Sequence, residues 1–312
     1  MTKLKGILLT QGMHGMISQV EGLAKALDLD FTHHTVELNS FWKPFPPKLT
    51  PISQNGFKKI YVGVFDVIIT CGKKSVIPSI YLKKNTSKKI INIHIQDPKV
   101  NLTNFNYIIA PEHDGLFGKN VFSTKGAIHY LTKKEIDKNT DYLKNRLKIG
   151  KEYFLLILGG PTKHYDYSDE NILKILDLFN DLVIKNNLQG IVIPSMRTPK
   201  NIIELTKDRL SENSLIIDSV DKKAYLSALS LAKYISVTCD STSMISEAAL
   251  TGKPIYIADI PAKKNDRRIK KFRELFNELN ITKKLDNKLE TWHYEILDET
   301  SRIAKKIKKQ LT

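Results

Sequence analysis

Short apolar runs rich in β-branched residues alternate with helical patterns from one end of this chain to the other. Such alternation is the mark of βα units, whose strands lie parallel in sheets covered by helices. Strands are expected at 5–10, 32–38, 67–71, 90–95 and 107–110, with helices at 17–27 and 78–84. The pattern restarts with a strand at 153–158 that runs into Gly159 and Gly160. A long helix (169–186), a strand (190–194), a helix (200–210), a strand (214–218) and a strand–turn–helix–strand unit over 234–260 follow. A length of 312 residues suits two doubly wound domains of about 150 residues each. The intervening TKKEIDKNTDYLKNRLKIGKE is charged and has no strand signal, which places the hinge near 149–151 and the domains at 1–149 and 150–312. The tail, 298–311, reads as a basic helix with Ile303, Ile307 and Leu311 spaced four apart, packing on a domain surface and crossing back to the first domain. The expected fold is α/β, with two Rossmann-like parallel sheets facing across a cleft and ligands at the carboxyl ends of the strands.

Composition narrows the function classes. Apolar runs such as IYVGVFDVIIT and YFLLILGG are shorter than the roughly 20 residues a membrane helix needs. MTKLKGILLTQGMHG reads as a first core strand entering a turn rather than as a secretory signal, so a cytoplasmic chain is expected, held at most peripherally on the inner face of a membrane. Cys71 and Cys239 end predicted core strands and suit buried thiols in a reducing compartment. The eight histidines show no metal-ligand spacing, so neither a metal nor a cofactor is expected. The net charge of +16 is carried almost entirely by Lys. Specific readers of nucleic acid lean on arginine forks, which argues against such a partner; anionic substrates or lipid headgroups remain suitable ones.

The most informative stretch is YISVTCDSTSMISEAALTGKPIYIADI at 234–260. Its first strand leads to Asp240, Ser241, Thr242 and Ser243, then a short helix that Gly252 and Pro254 end. Hydroxyls and unpaired N–H groups at such a turn suit a diphosphate. Glu247, four residues beyond Ser243, shares its helix face and is placed to accept both hydroxyls of a ribose. Helix capping and dipole complementation are equally good accounts of the serines and of Glu247.

Other strand-end loops carry further candidates. Gly12 and Gly15 allow a tight turn into the first helix, with His14 at the loop tip as a possible general base or a solvated histidine. Lys73, Lys74 and Ser75 would stand at the cleft rim. Asp97, before Pro98, is a base for deprotonating a sugar hydroxyl or a turn former. Glu112, His113 and Asp114 place three ionisable groups in succession. Leu158-Gly159-Gly160-Pro161 has the form of a diphosphate-cradling turn, and Arg197 is a phosphate clamp candidate. The aromatic and lysine mixture FWKPFPPK at 41–48, with Phe57, Lys58, Lys59 and Tyr61 nearby, fits an interfacial anchor or a proline-stiffened loop packed on the first domain.

Taken in order, GMHGMISQVEGLAKAL, WKPFPPKL, DVIITCGKKS, HIQDP, APEHD, GAIH, LGGPTKHY, SMRTP and DSTSMISEAALTGKP resemble the Elm-type mitochondrial-fission family, which has many bacterial members. The resemblance covers nearly the whole chain. It departs where Lys73 and Lys74 stand for arginines, Met196 for one of an arginine pair, and Cys239 for an acidic residue. The family is similar to GT-B glycosyltransferases. That likeness implies ribose binding by Glu247, diphosphate binding by Ser241 and Ser243 with Gly159, Gly160 and Arg197 beside it, and an acceptor facing Gly12, His14 and Gly15. The expected activity is metal-independent transfer of a sugar from a nucleoside-diphosphate donor, UDP-linked, to an acceptor that is lipid-linked or otherwise unidentified. Asp97, His113 and His14 are the candidate bases. A non-catalytic adaptor and a nucleotide-sugar epimerase of the same architecture are the alternatives.

Overall fold

The computed structural model describes residues 3–60, 63–210 and 212–311; Tyr61 and the side chain of Leu311 lie outside them. The chain forms two compact units: Met1–Tyr130 with Asp298–Thr312, and Leu131–Leu297.

The first unit runs β1 (Lys5–Thr10), α1 (His14–Ala26), β2 (Asp30–Thr35), β3 (Val67–Cys71), α2 (Val76–Lys84), β4 (Ile91–Ile95), β5 (Tyr107–Pro111) and β6 (Val121–Thr124). These six strands form one sheet in the order β2-β1-β3-β4-β5-β6, every pair parallel. The strand at β6, with its polar VFST, had no clear apolar run to betray it.

The second unit runs α3 (Lys133–Lys138), β7 (Tyr153–Leu158), α4 (Asp169–Lys185), β8 (Gln189–Pro194), α5 (Lys200–Leu210), β9 (Ser214–Ile216), α6 (Lys222–Leu231), β10 (Tyr234–Thr238), α7 (Thr242–Ala248), β11 (Ile255–Ala258), α8 (Arg267–Glu278) and β12 (Thr282–Lys284). Its sheet has the order β12-β11-β10-β7-β8-β9, again parallel throughout. Last comes α9 (Glu299–Leu311), which belongs to the first unit.

Burial explains both sheets. β3, β7, β8, β10 and β11 have almost every residue buried, as strands sandwiched between helices must. α4 puts Ile172, Ile175, Leu176, Phe179, Leu182 and Val183 on its buried face, the three-and-four spacing of an amphipathic helix. Phe179 meets Phe154 of β7 with ring centroids 4.6 Å apart. In the first unit, Ile303, Ala304 and Ile307 of α9 join one core cluster with Val20, Leu23, Ala24 and Leu27. The Glu299 carboxylate accepts the Lys125 N–H (2.8 Å), and the Thr300 hydroxyl accepts the His129 N–H (3.0 Å).

The boundary between the units falls at Tyr130–Leu131, not at the expected 149–151. The intervening charged segment is structured: Ile136 and Leu143 are fully buried. The Ser227 hydroxyl of α6 donates to the Thr140 carbonyl (2.8 Å) and accepts from the Leu143 N–H (3.1 Å). Two well-spaced apolar residues among many charges were enough to dock it, a signal too sparse for a periodicity argument.

Candidate functional site

β10, β7 and β8 are neighbours in the second sheet and parallel, so their carboxyl ends deliver three loops to one edge. The side chain of Asp240, just beyond β10, is fully buried at the centre of those loops. It is surrounded by donors: the Thr238 hydroxyl (2.7 Å), the Gly160 N–H (3.2 Å) and Arg197 Nη2 (2.7 Å). A buried carboxylate is tolerable only when paired and hydrogen-bonded in this way. Arg197 Nη1 also donates to the Gly160 carbonyl (3.0 Å), and the Ser195 hydroxyl donates to the Gly159 carbonyl (3.0 Å).

The glycine pair follows from that crowding. A Cβ on Gly159 would lie 2.2 Å from Asp240 Oδ1, and one on Gly160 would lie 2.1 Å from the Arg197 carbonyl oxygen. The Gly159 N–H is taken by the Thr238 hydroxyl (2.8 Å), and that of Gly160 by Asp240. Both glycines therefore build the wall of the site, and their N–H groups are occupied by protein acceptors. Arg197 spends two donors internally, yet its side chain remains 41% exposed.

Ser241 is the N-cap of α7; its hydroxyl accepts from the Met244 N–H (3.4 Å). The helix therefore begins at Thr242, and Ser243 is its second residue, half-buried. One turn on, Glu247 accepts a hydrogen bond from the Tyr225 hydroxyl of α6 (2.8 Å). Loss of water pushes its carboxyl up to about 7, against the opposing influence of the Tyr225 bond and the Lys222 charge. No Lys, Arg or His ion pair to Glu247 exists among the described residues. A desolvated carboxyl one turn into the helix that follows a strand end is the kind of group that active and binding sites retain.

Other predicted residues lie in the first unit. His14 is the first residue of α1 rather than a loop tip, and its ring stands edge-on to Tyr130 at 6.1 Å. Gly12 takes a positive φ of 83° and makes the turn after β1, whereas Gly15 is an ordinary helical residue. Asp97 follows β4, and its carboxylate accepts from the Lys99 backbone N–H (2.8 Å) and Nζ (2.5 Å). Partial burial pushes its pKa upward, but the Lys99 bonds and charge outweigh it and hold the carboxyl below its ordinary range. Such a carboxylate is ionised at neutral pH but a weak base. The His113 and Asp114 side chains are buried, with Nε2 3.7 Å from the carboxylate. In β1, β3, β4 and β5 the sheet brings the ends that carry Gly12, Lys73, Asp97 and His113 to one edge.

Thr238, Asp240 and Tyr225 escaped the sequence reading as site residues. Asp240 had a signal, a lone acid between a buried strand and three hydroxyl residues. Tyr225 had none, since its contact with Glu247 joins different helices. Cys71 and Cys239 are buried free thiols. An open groove of about 320 Å³ lies elsewhere, along α8 and β12, lined by Asp259, Lys270, Arg273 and Glu274; none of the predicted residues lines it.

Two parallel Rossmann-like sheets of six strands define the GT-B class of fold, which glycosyltransferases share with nucleotide-sugar epimerases. Solved structures support that class. A UDP-GlcNAc 2-epimerase from Neisseria meningitidis bound to UDP-GlcNAc is 14% identical with a TM-score of 0.52, covering 98% of this chain and 100% of that one. The glycosyltransferase SnogD from Streptomyces nogalater is 9% identical with a TM-score of 0.55, covering 99% and 95%. Within the class, this chain belongs to the family described as mitochondrial fission ELM1, whose model it matches over residues 14–311. It is 27% identical to the uncharacterized protein RP120 of Rickettsia prowazekii, over 78% of this chain and 79% of that protein. It is 22% identical to the mitochondrial fission protein ELM1 of Arabidopsis thaliana, over 78% of this chain but 64% of the plant protein.

Proposed function

We propose that this chain is a glycosyltransferase that takes a sugar from a nucleoside-diphosphate donor, UDP-linked, and passes it to an acceptor hydroxyl. The reading rests on the half-exposed Arg197, tied to Asp240 just ahead of the hydroxyl residues that open α7, and on the desolvated Glu247 carboxyl one turn into that helix. In this reading Glu247 accepts the ribose hydroxyls, and Ser243 and Arg197 meet the diphosphate. Ser241, Gly159, Gly160 and Asp240 fix the turn that positions them. Charge building on the departing diphosphate is what such a site must stabilise. Arg197, already oriented by Asp240, does so without reorganisation. Binding of UDP-GlcNAc by the Neisseria meningitidis relative of the fold supports the donor class.

The acceptor hydroxyl needs a base, and we assign the first unit's strand edge to it. Asp97, His113 and His14 are the candidates there, with Gly12 and Gly15 shaping the loop. The Lys99 bonds weaken Asp97 as a base. The likeness to epimerases favours one second reading, isomerisation of the bound nucleotide sugar without an acceptor.

Calorimetric titration with UDP at pH 8 tests the donor site. Binding in the micromolar to millimolar range, lost in Glu247→Ala and weakened in Arg197→Ala, supports it; no heat at millimolar UDP, or full binding by both variants, defeats it. Product analysis with a labelled UDP-sugar then separates a transferred sugar, an isomerised donor and neither, the last fitting a non-catalytic adaptor.

A further inference from the structure

The excursion from β2 to β3 is a built surface that the donor site does not use. Its segment 38–60 contains Lys43, Lys48, Lys58 and Lys59 and no Asp or Glu. Leu38 pairs with Phe57 in an antiparallel bridge, and both pack with Ile77 in a small core. Asn39 donates through Nδ2 to the Asn55 carbonyl (2.7 Å) and through its N–H to the Gly56 carbonyl (3.2 Å), closing the base of the excursion. The base is thus sealed by buried side chains.

The tip is the opposite. Phe41, Trp42 and Phe45 cluster on one another, with ring centroids 4.9 Å (Phe41–Trp42) and 5.6 Å (each to Phe45) apart. Phe41 is nevertheless 69% exposed, and Leu49 is 59% exposed. Had the aromatics served to seal the core, Phe41 would be buried as Phe57 is, at 2%. Short 3-10 turns at Ser40–Trp42 and Pro47–Leu49, with Pro44 and Pro46 between them, hold the tip in shape while leaving Phe41 and Leu49 exposed. The exposed Lys43 and Lys48 flank the aromatics. Of the other two lysines, Lys58 is tied to Glu37 at 2.5 Å. Among the described residues no helix is long and apolar enough to cross a membrane.

We infer that the 40–49 tip is a membrane-seating element: Phe41, Trp42 and Leu49 enter the headgroup region of an anionic bilayer while Lys43 and Lys48 meet lipid phosphates. Aromatic rings with an apolar body and tolerance of a wet edge are the side chains that favour that zone, and lysines flank them there. A pre-shaped tip loses little conformational entropy on insertion. Each lysine held near an anionic surface strengthens attachment by about fivefold, falling with salt. This inference stands apart from the nucleotide reading, since none of these residues belongs to the second unit.

The test uses the whole protein and vesicles of phosphatidylcholine with about 30 mol% phosphatidylglycerol. The chain has two tryptophans, and Trp292 is buried in the second unit at 8% exposure, donating to the Asn280 carbonyl. Brominated lipids should therefore quench Trp42 selectively: wild type loses fluorescence on vesicle binding and Trp42→Phe does not. Phe41→Asp/Leu49→Asp, both at exposed positions, should weaken co-sedimentation at least tenfold, and Lys43→Ala/Lys48→Ala on the order of twentyfold. UDP titration of the same variants should match wild type, which keeps failure here distinct from failure of the donor site. Absence of co-sedimentation at low salt overturns the inference. So does binding without quenching, or equal binding by the Asp variant.

Discussion

Glutamine in place of Glu247 gives the sharpest test of how this site is built. The Glu247 carboxyl has been lifted from an ordinary 4.5 to about 7 by burial, so its charged form is disfavoured in the folded chain. Between those two pH values the native protein keeps a proton that the unfolded chain has released. Stability owed to this group is therefore complete below pH 4.5 and is lost as pH rises to 7. At about 1.4 kcal/mol per pH unit the whole interval amounts to roughly 3 kcal/mol. Contact of a half-buried side chain with some water brings the expectation to about 2–3 kcal/mol. Glu247→Gln keeps an oxygen to accept the Tyr225 hydroxyl and carries no charge to desolvate. Urea unfolding of both proteins from pH 4.5 to pH 8 should show them equal at the acid end, with the variant ahead by about 2–3 kcal/mol at pH 8. Because every other titrating group is common to the pair, the difference isolates this carboxyl. A difference that stays flat across the range refutes the burial argument. If the ionised form is what accepts a ribose, UDP affinity of the wild type should also rise through pH 7 while the stabilised variant binds poorly, a trade of stability for function.

Three further outcomes test the scaffold. Asp240→Asn should destabilise by about 3 kcal/mol in urea unfolding, because its single NH2 must face either the Thr238 hydroxyl or the Gly160 N–H and Arg197 guanidinium, and the charge paired with Arg197 is lost; an effect below about 1 kcal/mol would mean the network is not needed. Gly160→Ala must push its new methyl away from the Arg197 carbonyl 2.1 Å distant, with an expected loss of about 1–3 kcal/mol and weaker UDP binding. A fully stable variant would show that the β7 and β8 loops are not packed this closely. Ile307→Ala opens a cavity between α9 and α1 and should lower stability by about 2–4 kcal/mol; no change in thermal unfolding would indicate that α9 does not dock on the first unit.

Much of the fold was legible because βα units advertise themselves locally. Buried parallel strands are continuous apolar runs, as in VIIT at 67–70 and YFLLIL at 153–158. Asp240, Ser241 and Glu247 could be placed at a strand end for that reason, and the order of motifs fixed the family. What the chain could not announce was who meets whom. Gly159 and Gly160 carry a phosphate-loop signature, yet only packing reveals that Asp240 and the Arg197 carbonyl fill the space a side chain would take. Glu247 and Tyr225 are 22 positions apart on different helices, so neither the hydrogen bond nor the desolvation that lifts the carboxyl is written in local sequence. The division at Tyr130–Leu131 rests likewise on Ile136 and Leu143 finding a dry place against α6. Local periodicity sets which elements form; the dielectric and the crowding around a side chain exist only once distant segments have come together, and those two quantities decide what the residue can do.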